Sequence, residues 1–272
     1  MKRLRRRPIF LLGLTITVAL FALSLLSLVW TPASPTRMNI AQKLKAPLEY
    51  GLFGTDQFGR DVASMLMVGA WNSLSTSFMA VAIGASVGTA LGIIVAMRRG
   101  ILELIVMRGC DIIFAIPPIL SAMMLGAFIG SGRFTAVIAI AVFMVPVFAR
   151  LSLGAALQVW TLDYVTAAVG MGRPAGRITL VHVLPNISNQ IIVQVTIQLG
   201  LAILTEAGLS FLGLGMPPPT PTWGRMLADA QTFLGQAPWL ALMPGLAIAL
   251  AVLGLNMLGD GLRDLLDPRD NS

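Results

Sequence analysis

The chain has 272 residues, of which 56% are hydrophobic and 11% charged, and its formal net charge is +7. A water-soluble domain has about a quarter of its residues charged, so this composition excludes an ordinary soluble enzyme. The basic balance does not indicate nucleic-acid binding, because no basic face with interleaved aromatic residues occurs and five of the nineteen Lys and Arg residues lie within the first seven positions. A single cysteine, Cys110, excludes an intramolecular disulfide, and with a single histidine, His182, we expect no metal site.

Six apolar stretches are long enough to cross a membrane, because a hydrocarbon core of about 30 Å requires about 20 helical residues. Backbone polar groups in lipid must be satisfied within their own segment, so each stretch predicts a helix. The predicted fold class is an all-α membrane protein with six transmembrane helices. In chain order the predicted spans are Ile9 to Trp30, Ser73 to Met97, Ile112 to Gly130, Phe134 to Leu151, Ile187 to Thr205 and Leu240 to Gly259.

The first apolar stretch follows a basic cluster, as the apolar stretch of a cleaved signal peptide also does. However, it is longer than the apolar region of about 7 to 15 residues that is typical of a signal peptide. The segment Thr31 to Pro35 after it offers no clear cleavage site. We therefore expect this stretch to remain in the protein as a helix.

The distribution of lysine and arginine predicts the orientation in the membrane. If the N-terminus is cytoplasmic, thirteen of the nineteen Lys and Arg residues lie on the cytoplasmic side and six outside. Because cytoplasmic loops are enriched in these residues, both termini are predicted to be cytoplasmic. The chain then divides into a tail, first helix and external segment (1–72), a five-helix core (73–260) and a cytoplasmic tail (261–272). Within the core, loop 151–186 is cytoplasmic and loop 206–239 is external.

The second and third spans carry features of helix packing and bending. Gly84, Gly88 and Gly92 recur every four residues on one face of the second span, and small residues in such a pattern let another helix approach closely. A backbone face that lines a pathway is the alternative interpretation. In the third span, Pro117 and Pro118 predict a break or kink near the cytoplasmic end.

Two external segments have the pattern of amphipathic helices that lie on the outer surface and cap the bundle. In Trp223 to Leu234, apolar residues fall on one face at helical spacing, and prolines precede the segment. A shorter pattern of the same kind is formed by Val62, Met65, Leu66 and Gly69.

Catalytic motifs are absent from the sequence. No G-x-x-x-x-G-K-[ST] occurs, so the chain is not expected to hydrolyse ATP alone, and neither G-x-S-x-G nor H-E-x-x-H is present. We therefore assign no catalytic residue. Asp111, Glu206 and Asp260 are predicted at the ends of spans, where water can solvate them. A proton-coupled carrier would be expected to have acidic residues in the middle of its spans, so this placement argues against one.

The fifth predicted span carries a polar stripe. Gln190, Gln194 and Gln198 are spaced four residues apart and share one helix face. Two interpretations remain open, because such side chains can line a pathway or form hydrogen bonds between helices.

The cytoplasmic loop 151–186 is too apolar for a segment that faces only water. Apolar residues form two stripes, Val159, Leu162, Val165 and Val169 on one and Trp160, Tyr164, Ala167 and Met171 on the other. Gly172 predicts a helix end in the left-handed conformation, and Pro174 predicts the start of another helix. The pattern indicates a helix, a turn and a helix that dock into a groove of another protein.

The same loop resembles a known motif. Thr166-Ala167-Ala168, three residues, Gly172, nine residues and then His182-Val183-Leu184-Pro185 is similar to the "EAA" loop, E-A-A-x3-G-x9-I-x-L-P, of membrane subunits of binding-protein-dependent ABC importers. Segments 54–61, 206–215, 218–224 and 256–268 resemble the dipeptide, oligopeptide and nickel permease subfamily, in its shorter C-type subunit. Two positions depart from the motif: Thr166 replaces its glutamate and His182 replaces its isoleucine.

The resemblance implies a type I ABC importer permease fold in the bacterial cytoplasmic (inner) membrane. It implies a complex with a second homologous permease, two ABC ATPase subunits and an extracytoplasmic solute-binding protein, and ATP and Mg bound on the ATPase subunits with no cofactor in this chain. Thr166, Ala167, Ala168, Gly172, His182, Leu184 and Pro185 would form the ATPase-coupling loop. Short peptides are the expected solute, and nickel or another metal chelate, glutathione or a similar small solute is the alternative. A secondary carrier and a membrane scaffold without transport are further alternatives outside this class.

Overall fold

The computed structural model describes residues 8–266, which are almost entirely helical and contain no β-strand. The basic cluster at residues 2–7 and the end of the predicted tail, residues 267–272, lie outside this range. The helices are α1 (Pro8–Leu26), α2 (Val62–Arg98), α3 (Ile101–Ala115), α4 (Pro118–Ile129), α5 (Arg133–Trp160), α6 (Asp163–Gly170), α7 (Ala175–Ile178), α8 (Leu184–Phe211), α9 (Trp223–Ala230) and α10 (Trp239–Leu266).

Five segments of the described chain are long and apolar enough to cross a membrane as single helices. These are α1, α2, α5, α10 and the segment Ala175–Phe211, in which α7 continues through a π-helical turn (Thr179–Val183) into α8. A sixth span exists if α3 and α4 are counted as one bent span. The predicted class, an all-α membrane protein, is confirmed.

The third predicted span, Ile112 to Gly130, is not one continuous helix. The chain breaks at Ile116 and Pro117, and the helices on either side meet at 90°. Pro117 and Pro118 cause the break because a proline ring excludes the helical hydrogen bond and restricts the residue before it. α4 is therefore only 12 residues long, about 18 Å at 1.5 Å per residue.

Several helices extend beyond the predicted spans. α2 has 37 residues and begins at Val62, so Val62, Met65, Leu66 and Gly69 belong to it and do not form a separate helix on the surface. α5 continues through Pro146 to Trp160 without a break, and α10 continues through residues 261–266 of the predicted tail. Hydrophobicity marks only the part of a helix that lies in lipid, so it does not indicate how far a helix projects beyond it. The added start of α2 is covered by protein, whereas Arg263 and Asp264 in the added end of α10 are exposed.

The core of the bundle is the parallel pair α2 and α5. Gly84, Gly88 and Gly92 face α5, and a Cβ atom built on any of them would overlap α5 atoms, including the backbone carbonyl oxygens of residues 145 and 149. α1 packs on α10 through a similar approach, because a Cβ at Gly13 would lie 2.6 Å from the backbone nitrogen of Leu258. Small residues thus bring both pairs of helices into backbone contact.

The outer end of the bundle is covered by α9 and the loop before it, which we call the external cap (residues 217–233). Asn72 donates a hydrogen bond to the carbonyl oxygen of Pro221 at 2.8 Å, and the indole Nε1 of Trp223 donates to the carbonyl oxygen of Leu66 at 3.1 Å. Trp223 is fully buried, and Gly224 packs directly on the backbone of α8. The apolar face of α9 therefore rests on protein.

Candidate functional site

The loop that is predicted to be cytoplasmic folds into α6, a tight turn and α7, which together we call the elbow (residues 163–178). Gly172 adopts a left-handed conformation, with φ of +76°. The amide of Gly172 donates to the carbonyl oxygen of Val169 at 2.9 Å, and the amide of Arg173 donates to that of Ala168 at 3.2 Å. This pair of bonds is a Schellman motif, which satisfies the free carbonyls at the end of α6. The structure has the helix, turn and helix that the sequence predicts.

One face of the elbow is anchored to the bundle. Val165, Ala168 and Ile178 are buried in one apolar cluster with Val95 of α2 and Ala156 of α5. Burial of such side chains contributes about 1.5 to 3 kcal/mol for each large one. We conclude that the elbow is held as a rigid part of the cytoplasmic end of the bundle.

The opposite face of the elbow is exposed and apolar. Tyr164, Val169 and Met171 are exposed, with 71% of the Met171 surface accessible. Thr166 and Ala167 are also exposed, and the Thr166 hydroxyl donates only to the carbonyl oxygen of Leu162 in its own helix, at 3.3 Å. Exposed apolar groups clustered at one end of the helix bundle indicate a surface that a partner protein covers.

The two predicted apolar stripes do not run continuously along this loop. α5 ends at Trp160 and α6 begins at Asp163, so the helical register is interrupted between them. As a result, Val165 is buried whereas Leu162 and Val169, predicted on the same stripe, are exposed.

The elbow is joined to the start of α8 by a small polar cluster. The amide Nδ2 of Asn186 donates to the hydroxyl of Tyr164 at 3.0 Å and to the carbonyl oxygen of His182 at 2.7 Å. The Tyr164 and His182 rings meet edge to face, 5.7 Å apart. His182 lies in the π-helical turn, and Leu184 and Pro185 begin α8. Sequence analysis missed Tyr164 and Asn186 as a polar link, because nothing in their spacing of 22 residues predicts the contact.

The glutamine stripe runs from the surface of α8 into the bundle. Gln190 is exposed, Gln194 is half-buried and Gln198 is buried. The side-chain oxygen of Gln198 is buried without a hydrogen-bond partner among the described residues. Only the cytoplasmic part of the stripe is therefore accessible in this conformation.

Glu206 is not at the end of a span, contrary to the sequence-based expectation that water solvates it. α8 continues through Phe211, and Glu206 is 1% exposed. One carboxylate oxygen accepts a hydrogen bond from the Ser210 hydroxyl at 2.6 Å, and Ser73 of α2 lies close to the carboxyl group. The other oxygen, Oε2, has no hydrogen-bond partner in the described chain.

No group of three or more potential His, Cys, Asp or Glu ligands occurs within residues 8–266. The external cap contains one acidic residue, Asp229, which is paired with an arginine. Asp229 contacts Arg225 at 3.0 Å, and its burial raises the pKa of that carboxyl, against the opposing effect of Arg225.

Comparison with solved structures identifies the same architecture in a methionine ABC transporter, MetNI, in inward-facing conformations. The match has a TM-score of 0.63 at 19% sequence identity, and it covers 75% of this chain and 96% of the other. The type I ABC importer permease fold is thereby confirmed.

Comparison with curated sequences gives relatives among permeases. The chain is 40% identical over its whole length to the dipeptide transport system permease protein DppC of Alkalihalophilus pseudofirmus, of which it covers 89%. It is 45% identical over 80% of its length to the glutathione transport system permease protein GsiD of Escherichia coli, of which it covers 72%. Residues 88–270 match the family model described as the inner membrane component of binding-protein-dependent transport systems. The chain belongs to this family of inner membrane transport components.

Proposed function

We propose that the chain is one permease subunit of an ATP-driven importer of short peptides and that its elbow is the docking site for a separate ATPase subunit. The observation that carries the proposal is the two-sided elbow. Its inner face is buried among α2, α5 and α8, and its outer face offers apolar side chains to a partner. A force applied to the outer face would therefore move the helices on which the inner face is packed.

The complete transporter contains, on this proposal, a second homologous permease, two ATPase subunits and an extracytoplasmic binding protein. ATP and Mg bind to the ATPase subunits. Closure of the ATPase pair tilts the two permeases against each other and opens the pathway between them alternately to the two sides. Relatives that transport dipeptides and glutathione support a short peptide or peptide-like solute.

Substitution of Gly172 tests the role of the elbow. Gly172→Val forces a β-branched residue into a left-handed conformation, at a cost of about 1 to 2 kcal/mol, and distorts the turn. Gly172→Asn is the matched control, because asparagine tolerates this conformation and a Cβ atom at this position meets no other atom within 4 Å.

The measurement is uptake of a labelled dipeptide and ATP hydrolysis by the complete transporter in proteoliposomes. We expect the Val variant to insert and to hydrolyse ATP without uptake, and the Asn variant to transport normally. Normal uptake by the Val variant would contradict the assignment of the turn. Failure of a Walker-A-containing protein to co-purify with the wild-type chain would contradict the proposed partner.

A further inference from the structure

A groove of about 620 Å³ lies between the inner half of α2 and the segment that enters α8. This α2–α8 groove extends from Ala85 to Met97 on one side and from Gly176 to Ile192 on the other. Its volume is in the range of about 300 to 1,000 Å³ that is typical of small-molecule sites. Its lining is mainly apolar, and the half-exposed Ile94 and Ile192 leave it open at the side.

A buried threonine lines the groove near its cytoplasmic end. Thr179 is only 6% exposed, and its Oγ1 has no hydrogen-bond partner within residues 8–266. It begins the π-helical turn, a distortion that occurs frequently at functional sites. The Oγ1 atom itself has almost no accessible surface, so only the rest of the Thr179 side chain borders the groove.

Two exposed arginines follow lining residues of the groove in the sequence. Arg98 follows the lining residue Met97, and Arg177 follows the lining residue Gly176. Both are exposed, and neither is ion-paired with an acidic side chain of the described chain. Basic residues beside a pocket between helices at the cytoplasmic membrane surface attract anionic lipid headgroups.

We propose that the α2–α8 groove binds an anionic phospholipid, with one acyl chain along the apolar lining and the phosphate between Arg98 and Arg177. Gly176 and Arg177 belong to the elbow, so the site borders the elbow. The inference goes beyond the proposed function, because it concerns the membrane and not the solute or the ATPase.

The groove is unsuited to the peptide solute itself. A peptide carries backbone amide and carbonyl groups that cost about 1 to 3 kcal/mol each when they are buried without hydrogen bonds. The groove offers few polar atoms, and Gln190 and Gln194 do not line it. A hydrocarbon chain requires no such partners and gains about 0.8 kcal/mol for each buried methylene group.

Native mass spectrometry of the purified full-length chain, with the partners that co-purify, tests the proposal. The protein in detergent is titrated with phosphatidylglycerol or with phosphatidylcholine of the same acyl chains. We expect phosphatidylglycerol to bind at least about tenfold more tightly, since each arginine at the membrane surface contributes about 1 kcal/mol. Arg98→Gln/Arg177→Gln should abolish this preference. Arg108→Gln/Arg263→Gln, which removes two exposed arginines that adjoin no lining residue, should preserve it.

A second variant tests the acyl chain position without removing charge. Ala90→Trp fills the groove at an exposed lining position, whereas Val87→Trp places the same side chain on α2 outside the lining. We expect only Ala90→Trp to reduce binding of phosphatidylglycerol.

Equal binding of the two lipids by the wild-type chain would overturn the proposal. It would also be overturned if the Arg98 and Arg177 variant kept the lipid but lost a co-purifying ATPase, which would assign the arginines to protein docking. Neither result depends on transport, so failure here is distinguishable from failure of the proposed function.

Discussion

The sequence predicts the backbone conformation of Gly172 correctly but not the environment of the Glu206 side chain. Gly172 was identifiable from sequence, because a glycine followed by Arg-Pro after an apolar helix predicts a left-handed helix end. The prediction that water solvates Glu206 was wrong, because hydrophobicity indicates where a span leaves the lipid and does not indicate what covers its end. Here α2 contacts Glu206 through Ser73, and the carboxyl group becomes part of the protein interior.

Replacement of Glu206 should destabilise the outer end of the bundle. Glu206→Ala removes the acceptor of the Ser210 hydroxyl and leaves a buried donor unpaired, at a cost of about 1 to 3 kcal/mol. Glu206→Gln keeps an acceptor oxygen and should cost less. The thermal unfolding midpoint of the purified protein in detergent measures both. Equal midpoints for the Ala variant and the wild-type chain would show that Glu206 contributes nothing to the packing.

Among the helices, the surface of α2 that contacts α5 is predictable from the sequence. The recurrence of glycine every four residues predicts a close approach, and Gly84, Gly88 and Gly92 form one. The partner helix was not predictable, because a face of small residues accepts any helix of suitable shape. The sequence also does not predict that α5 continues through Pro146, since this depends on how neighbouring helices satisfy the freed backbone groups.

Alanine substitutions separate glycines that are needed for packing from glycines that are not. At Gly88 a new Cβ atom would lie 2.8 Å from the Cβ of Phe148, so Gly88→Ala should cost about 1 to 3 kcal/mol through overpacking. At Gly154, also in a helix, a Cβ meets nothing within 4 Å. Gly154→Ala should therefore be neutral or should stabilise the helix by up to about 1 kcal/mol. Thermal unfolding of the two variants under the same conditions gives the comparison, and similar midpoints would contradict it.

For the molecule as a whole, counting apolar stretches predicts the class and the number of candidate spans but not the path of the chain. The third stretch looks like the others in composition, yet its two prolines turn α3 and α4 at a right angle. The position of α3 is then set by long-range contacts. Arg150 of α5 forms an ion pair with Asp111 and stacks on the Phe114 ring at 4.8 Å. A separation of 39 residues gives no local pattern from which this pair could be predicted.

Exchange of the two charges tests whether this ion pair sets the position of α3. Asp111→Arg alone places a third arginine beside Arg108 and Arg150 and should lower stability by about 1 kcal/mol and reduce uptake. The double variant Asp111→Arg/Arg150→Asp restores opposite charges and should recover most of the loss. Dipeptide uptake and thermal unfolding are the measurements. Arg150→Asp is the second single variant. If the double variant loses as much stability and uptake as the two single variants together, the ion pair does not fix the position of α3.

The attachment of the external cap to α2 and α8 makes the cap a suitable site for spectroscopic labels. Its hydrogen bonds from Asn72 and Trp223, and the contact of Gly224 with α8, leave it no independent hinge relative to α2 and α8. A fluorophore attached at an exposed cap position such as Thr232 would therefore report the inclination of these two helices during a transport cycle. Distances between such labels on the two permeases could be followed in single molecules without probes inside the lipid.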